Sequence, residues 1–290
     1  PFMFNALRRF DFSSFDLIIS SSHTVGKSIT KSARTKHICY CHTPLRYVWA
    51  PEIDPLKNRI KLGPLEKPLL AYLKKCDIKS SKTVDRYIAN SHYIAERIKR
   101  SYGTQATVVY PPVDTAIFKP KSKVSKSDYF LAAGRLISYK KTDLIIRACN
   151  KANVKLVVAG TGPELKRLKE LGGKNVLFLG YVNDKKLTDL YQRAKGVIFA
   201  AHEDFGIVPV EAQAAGTAVI GYGAGGARET VIDGKTGLLF QSQTVHSLAK
   251  ALAQFEKQRF SAQACMLNAQ RFSKENFEKQ IKEIVQHIFD

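Results

Sequence analysis

Short runs of consecutive apolar residues alternate along this chain with longer stretches in which apolar positions recur every three or four residues. The runs predict strands at 16–20, 37–41, 87–89, 107–110, 129–133, 155–159, 176–179, 196–200 and 218–221. They are continuously apolar rather than alternating, the pattern of strands buried on both faces. The stretches between them predict helices, among them 94–102, 143–151, 164–171, 185–194 and 208–215. Strand and helix in this alternation imply an α/β protein whose parallel sheets are covered on both sides. No repeat of fixed period underlies the order.

The alternation breaks over 110–127, where Pro111, Pro112 and Pro120 lead into Lys- and Ser-rich sequence, the chemistry of a linker. At 290 residues the chain also exceeds what one core usually organises. The expected division is a first unit at 1–118, a second at 119–272, and a terminal stretch at 273–290 whose helix, 274–288, crosses back to the first unit. From 245 onward no strand pattern occurs. Open parallel sheets bind ligands beyond the carboxyl ends of their strands, so two such units facing each other make a cleft, and the loops after strands should carry the chemistry.

Composition adds one question. With 44% hydrophobic and 24% charged residues the chain is ordinary for a globular protein, but its formal net charge is +21, spread over its length. Such a surface suits nucleic acid, an anionic membrane or phosphorylated substrates. No apolar run reaches the ~18 residues that cross a bilayer, and the opening residues do not read as a secretory leader. The five cysteines, Cys39, Cys41, Cys76, Cys149 and Cys265, are scattered and form no paired metal-ligand spacing. Cys39 and Cys41 read as two small side chains on one face of a strand, and the expectation is a reduced, cytoplasmic protein with no metal site.

Three post-strand loops in the second unit concentrate candidate chemistry. In Gly134-Arg135-Leu136-Ile137-Ser138-Tyr139-Lys140 a glycine ends the strand and two cations follow in a short loop. Arg135 through its forked donors and Lys140 as a point charge suit a diphosphate, although a solvated basic loop reads the same way. Gly160-Thr161-Gly162-Pro163 permits close backbone approach by a ligand, or serves only the turn into a helix. The third loop runs His202-Glu203-Asp204-Phe205-Gly206-Ile207 into a helix carrying Glu211. A helix start there offers free N–H groups to an anion, and Glu203 and Glu211 are carboxylates able to accept sugar hydroxyls. Glu211 is flanked by Val210, Ala212, Ala214 and Ala215, so it reads as buried, and a buried carboxylate needs partners.

Together these loops resemble the retaining glycosyltransferases of family four, of GT-B fold. The resemblance is carried by Gly134-Arg135-Leu136 with Lys140, by Glu203 and Glu211 around Phe205-Gly206, and by Gly225-Gly226-Ala227-Arg228-Glu229 followed by Asp233-Gly234 and Gly237. Ile88-Ala89-Asn90-Ser91 and Tyr110-Pro111-Pro112-Val113-Asp114 match the end of the family's first domain. The resemblance implies two facing Rossmann-like domains and transfer of a sugar from a nucleotide-sugar donor with retention, without a metal. It implies a catalytic group of His42, Arg135, Lys140 and Glu203. The implied donor pocket comprises Gly134, Gly160, Tyr181, Val182, Asp204, Phe205, Gly206, Ile207 and Glu211. In it the two cations hold the diphosphate, Glu203 the sugar and Glu211 the ribose, while the base lies near Tyr181 and Val182. His42, in Cys39-Tyr40-Cys41-His42-Thr43-Pro44, matches a histidine that reaches the donor sugar across the cleft.

The stretches around His42 and Glu203 look most like the mannosyltransferase branch of surface polysaccharide synthesis. GDP-mannose is therefore the expected donor, with UDP-glucose or UDP-N-acetylglucosamine as alternatives, and the expected acceptor is a glycan or a lipid-linked molecule. Between Lys57 and Arg86 nine basic and three acidic residues surround Leu62, Leu65, Leu69, Leu70 and Leu73. That stripe reads either as a helix on an anionic membrane surface or as a solvated helix with its leucines in the core. Two departures from the family stand out: strands and a glycine-rich loop that normally precede residue 16 are missing, and His202 occupies a position usually small or acidic. A truncated first domain is accordingly expected, binding donor but transferring poorly, with Phe2, Phe4, Phe10, Phe12 and Phe15 uncovered. A basic nucleic-acid-binding protein is the remote alternative, but aromatics are not interleaved with the cations and no nucleic-acid motif occurs, so no nucleic-acid partner is expected. A sugar-nucleotide epimerase of related fold is the enzymatic alternative.

Overall fold

The computed structural model describes residues 2–50, 63–120 and 124–289. The chain divides into two compact units, Pro1–Tyr110 with Glu278–Asp290, and Pro111–Phe277. The division lies at Tyr110 rather than after residue 118 because the segment following Tyr110 packs on the second unit. Val113 N–H donates to the Phe272 carbonyl (2.9 Å), Asp114 pairs with Lys274, and the Phe118 ring meets Tyr191 edge-on at 5.7 Å.

The first unit holds a parallel sheet in the order β1 (Leu17–Ser22), β2 (Lys36–Cys41), β3 (Arg86–Ala89) and β4 (Ala106–Val108). From Ile38 to Cys41 strand β2 is buried throughout, as its unbroken apolar run requires. Cys39 and Cys41 share a face with Tyr87 and Ala89 and pack against Ile94 and Ile98, and all five cysteines are free thiols. Those isoleucines belong to the helix His92–Tyr102, which starts where Ser91 Oγ accepts from the Ile94 N–H and stops at Gly103 in the left-handed region.

The helix Glu66–Ser81 is anchored by charge as well as by apolar packing. Lys27 and Asp77, 1% and 0% exposed, form a buried ion pair at 2.6 Å. The other Asp77 oxygen accepts from Trp49 Nε1 (2.8 Å) and Tyr102 Oη (2.7 Å), so the carboxylate is fully partnered. The helix brings Leu73 and Leu69 onto Phe4, Val25 and Leu45. One expectation needs correcting, and of the two readings of the basic stripe the one with its leucines in the core fits Leu69 and Leu73. Phe4 is covered, at 2% exposure, whereas Phe10 and Phe15 are exposed. Leu69 and Leu73 of the basic stripe are directed into the unit, while Leu62 and the side chains of Phe2 and Leu65 lie outside the described residues.

In the second unit the sheet runs β10-β9-β8-β5-β6-β7, all parallel. Its strands are β5 (Phe130–Ala133), β6 (Leu156–Ala159), β7 (Val176–Gly180), β8 (Gly196–Phe199), β9 (Val219–Tyr222) and β10 (Gly237–Phe240). The chain enters at β5, moves outward through β6 and β7, returns to β8 beside β5, and moves outward the other way. The β5/β8 junction is thus the topological switch point, where connections diverge and leave a crevice at the strands' carboxyl ends. Strand β10 is absent from the pattern-based expectation. It is four residues long, and its first residue is a glycine because a Cβ there would lie 1.9 Å from the Val219 carbonyl oxygen. One core of Phe130, Ile146, Leu156, Val158, Ile220, Leu248 and Leu252 spans the sheet and its helices.

Candidate functional site

Three loops leave the carboxyl ends of β5, β6 and β7, and their backbones are bonded together. Gly134 N–H donates to the Ala159 carbonyl (3.0 Å), Leu136 N–H to Thr161 (2.8 Å), Glu164 N–H to Leu136 (3.1 Å) and Gly160 N–H to Gly180 (2.7 Å). Glycine is required for this closeness: a Cβ on Gly160 would lie 1.9 Å from the Gly134 oxygen, and one on Gly162 2.3 Å from the Leu136 oxygen. The close approach read from Gly160-Thr161-Gly162 is therefore made by a neighbouring loop, which fixes the course of Gly134-Arg135-Leu136. Beyond Leu136 the chain makes a 3-10 turn, Ser138–Lys140, and Lys141 takes φ +58 before the helix Thr142–Ala152. A non-glycine residue in that region is uncommon, and here it sets the turn that presents Lys140.

The acidic loop after β8 is built by the same device. Gly225 and Gly226 pack against it, since Cβ atoms there would lie 2.2 Å from the Glu203 oxygen and 2.1 Å from the Phe205 oxygen. Gly226 N–H donates to the Glu203 carbonyl (2.9 Å), and Gln243 Nε2 to the Ala200 carbonyl (2.7 Å). Phe205 is buried edge-on to Phe272 at 5.5 Å, and Asp204 is 8% exposed. His202 meets the Tyr222 ring at 6.0 Å, and its Cδ2 would lie 3.0 Å from a Cβ at Gly225, so it occupies the wall between the acidic loop and β9. At Gly206, with φ +89, the chain turns into the helix Ile207–Ala214, which has no side-chain cap. The positive end of its dipole lies at Ile207, which is exposed.

Side chains from the two loops meet. Lys140 forms an ion pair with Glu203, both about one-fifth exposed (21% and 18%). Arg135 is exposed beside them, and with Gly134, Lys140 and Ala200 it lines a crevice of about 20 Å³ between the ends of β5 and β8. Glu211 lies one turn into the helix, half-buried, with Oε2 accepting from Tyr191 Oη at 2.8 Å. Burial holds the Glu211 carboxyl above its ordinary pKa; the Tyr191 hydrogen bond and the Lys140 charge oppose that rise, and Asp184 adds to it. Tyr181 and Val182 follow β7, with Tyr181 81% exposed, and Asn183 caps the next helix by accepting from Lys186 N–H (2.9 Å).

His42 belongs to the first unit, at the carboxyl end of β2. Its Nε2 is 2.8 Å from Ser21 Oγ, its ring is edge-on to Tyr40 at 5.2 Å, and its carbonyl accepts from Asn90 Nδ2 (3.1 Å). Among the described residues no group of three or more His, Cys, Asp or Glu side chains is placed to hold a metal ion. Pattern reading passes over the contact of Tyr191 with Glu211 and the packing of Gly225-Gly226 against the acidic loop. Tyr191 looks like any aromatic on an amphipathic helix, and the glycines reveal their task only once the acidic loop is seen against them.

The family model described as Glycosyl transferases group 1 matches residues 113–272, and that described as Glycosyltransferase Family 4 matches residues 1–117. A D-inositol 3-phosphate glycosyltransferase of Kribbella flavida is 32% identical over 204 residues, 59% of this chain and 48% of that protein. One of Mycolicibacterium paratuberculosis is 33% identical over 210 residues, 64% of this chain and 47% of that protein. The chain spans about half the length of the curated relatives it matches. Among solved structures, sucrose-phosphate synthase from Thermosynechococcus elongatus superposes with a TM-score of 0.76 at 19% identity, covering 95% of this chain and 74% of that one. Anabaena HepE in complex with UDP superposes with a TM-score of 0.70 at 21% identity, covering 88% and 73%. At these identities the likeness establishes the fold alone, GT-B, with two Rossmann-like domains.

Proposed function

The chain belongs to the group 1 glycosyl transferases, and from that membership we propose that it transfers a hexose from a nucleoside diphosphate sugar to a hydroxyl acceptor with retention of configuration. The observation that carries this reading is the meeting of Lys140, Glu203 and the uncapped start of the Ile207–Ala214 helix at the β5/β8 switch point. In the reading Arg135 and Lys140 hold the diphosphate and the helix N-terminus adds its dipole. In the structure Lys140 is paired with Glu203. A diphosphate replaces that partner, and Glu203 is released to accept from the hydroxyls of the sugar. Glu211 takes the ribose, the base lies along Tyr181 and Val182, and His42 contributes to the sugar from the first unit. As the glycosidic bond breaks, negative charge grows on the departing phosphate, where the two cations and the helix amides are already oriented. That oriented charge and the positioning of both substrates supply the rate enhancement. The acceptor attacks on the face the phosphate leaves, and a phosphate oxygen takes its proton.

GDP-mannose is the first donor proposed, on the likeness of the His42 and Glu203 stretches to mannosyltransferases. UDP sugars are the second, since HepE, which shares the fold, is a UDP complex. For the acceptor, the likeness to D-inositol 3-phosphate glycosyltransferases and the net charge of +21 both favour a molecule carrying its own phosphate, free or lipid-linked. A panel of GDP and UDP sugars screened for thermal stabilisation tests the donor, because a ligand held 100-fold above its Kd adds about 2.7 kcal/mol to stability. GDP-mannose should give the largest shift; no shift with any nucleotide sugar would refute the reading.

A further inference from the structure

Tyr191 is among the largest fully buried side chains of the protein and lies on the helix Asp184–Arg193. It is held from three sides. Its ring meets Phe118 edge-on, its carbonyl accepts from Thr217 Oγ1 (2.6 Å), and its hydroxyl donates to Glu211 Oε2 (2.8 Å). A hydroxyl at such a place destabilises the fold unless it is bonded, so packing alone would select Phe. Among the described residues Tyr191 is the one hydrogen-bond partner of the Glu211 carboxylate, which leaves Oε1 open. The charged groups facing that carboxylate are Asp184, on the helix that carries Tyr191, and Lys140, from the β5 loop.

We propose that Tyr191 is a positioning residue for nucleoside recognition: by anchoring Oε2 of Glu211 it aims Oε1 at the ribose hydroxyls and makes the site select ribo- over deoxyribonucleoside diphosphates. The inference rests on the assignment of Glu211 to the ribose. Rotation of a glutamate carboxylate about its terminal bond is soft, and a fixed phenol removes that freedom before ligand arrives. The hydrogen bond also opposes the protonation that burial favours. Glu211 is therefore kept as an acceptor to lower pH than it would be alone.

The experiment measures UDP, GDP and their 2′-deoxy counterparts by calorimetry between pH 5 and 8 on the chain as it stands. The variants are Tyr191→Phe, Glu211→Gln and the double substitution. Glu211→Gln should abolish the preference for ribose. Tyr191→Phe should weaken the ribonucleoside diphosphates about tenfold at pH 7, as expected for a lost hydrogen bond to a charged group, and leave the deoxy forms unchanged. It should also move the acid limb of binding to higher pH, and add nothing to Glu211→Gln. If Glu211→Gln retains the ribose preference, the assignment of Glu211 is wrong. If it loses the preference while Tyr191→Phe keeps wild-type affinity and acid limb, Glu211 stands and the role of Tyr191 falls. Equal weakening of ribo and deoxy forms by Tyr191→Phe would make the tyrosine structural only and overturn the proposal.

Discussion

The Lys140 ammonium already lies against Glu203, so a diphosphate entering this site exchanges with an internal anion rather than meeting a bare cation. Substituting either partner should therefore slow turnover, but only loss of the cation should weaken diphosphate binding. Lys140→Ala and Arg135→Ala should each lower kcat about a hundredfold, the usual scale for removing one oriented electrostatic group. Glu203→Gln should lower kcat as well, yet bind GDP or UDP as tightly as wild type or more tightly, because it frees Lys140. Turnover at saturating donor and calorimetric affinity for the diphosphate check both halves. Weaker diphosphate binding in Glu203→Gln would mean that the carboxylate supports the phosphate site rather than competing for it. The identities of these residues were legible in the sequence, since each stands in a post-strand loop with distinctive neighbours. Their pairing was not, because 63 residues separate them and only the adjacency of β5 and β8 brings them together.

At the scale of elements, the loops are held by backbone packed on backbone. The apolar runs located β1 to β9 to within a few residues, most plainly at β2, β6 and β8, which are buried on both faces. They passed over β10, where Gly237-Leu238-Leu239-Phe240 is short and follows the Asp233-Gly234 turn. The glycine motifs were visible too, and of the two readings left open for Gly160-Thr161-Gly162, a ligand's approach or a steric need of the turn, the structure shows close packing on a neighbouring loop. This difference is testable. Gly226→Ala pushes a methyl to 2.1 Å from the Phe205 oxygen, and Gly160→Ala one to 1.9 Å from the Gly134 oxygen. Each should lower stability by roughly 1–3 kcal/mol, as overpacking does, and should weaken nucleotide binding by displacing a site loop. Gly234→Ala supplies the control: it has φ +74 but nothing within 4 Å of the new Cβ, so it bears backbone strain without a clash. Thermal melts and UDP titration of the three variants decide the matter. If Gly226→Ala and Gly160→Ala bind as wild type does, the loops are not held in place by these contacts.

For the whole molecule the open matter is what the net charge of +21 meets. Spacing along the sequence allowed a basic amphipathic helix lying in a membrane. The structure separates its two ingredients. Leu69 and Leu73 of the helix Glu66–Ser81 pack on Phe4, Val25 and Leu45, so they do not serve as an inserting face. Lys67, Lys75 and Lys79 remain exposed, and Lys74 covers the Trp49 ring at 4.6 Å. Any attraction to an anionic surface should then be electrostatic, with about 1 kcal/mol for each lysine close to the lipid and no apolar contribution. Such attraction is strongly screened once the Debye length falls from about 10 Å at 0.1 M salt to about 3 Å at 1 M. The chain should cosediment with vesicles containing phosphatidylserine at low salt, should be released at 1 M salt, and should ignore phosphatidylcholine. Replacing Lys67, Lys75 and Lys79 by Glu should weaken cosedimentation while leaving the melting temperature and UDP affinity near wild type, because none of the three contributes to the core or the nucleotide site. Binding to neutral vesicles, or binding that survives high salt, would show that apolar surface elsewhere in the protein makes the contact. Indifference to both lipids would leave phosphorylated small molecules as what the charge serves.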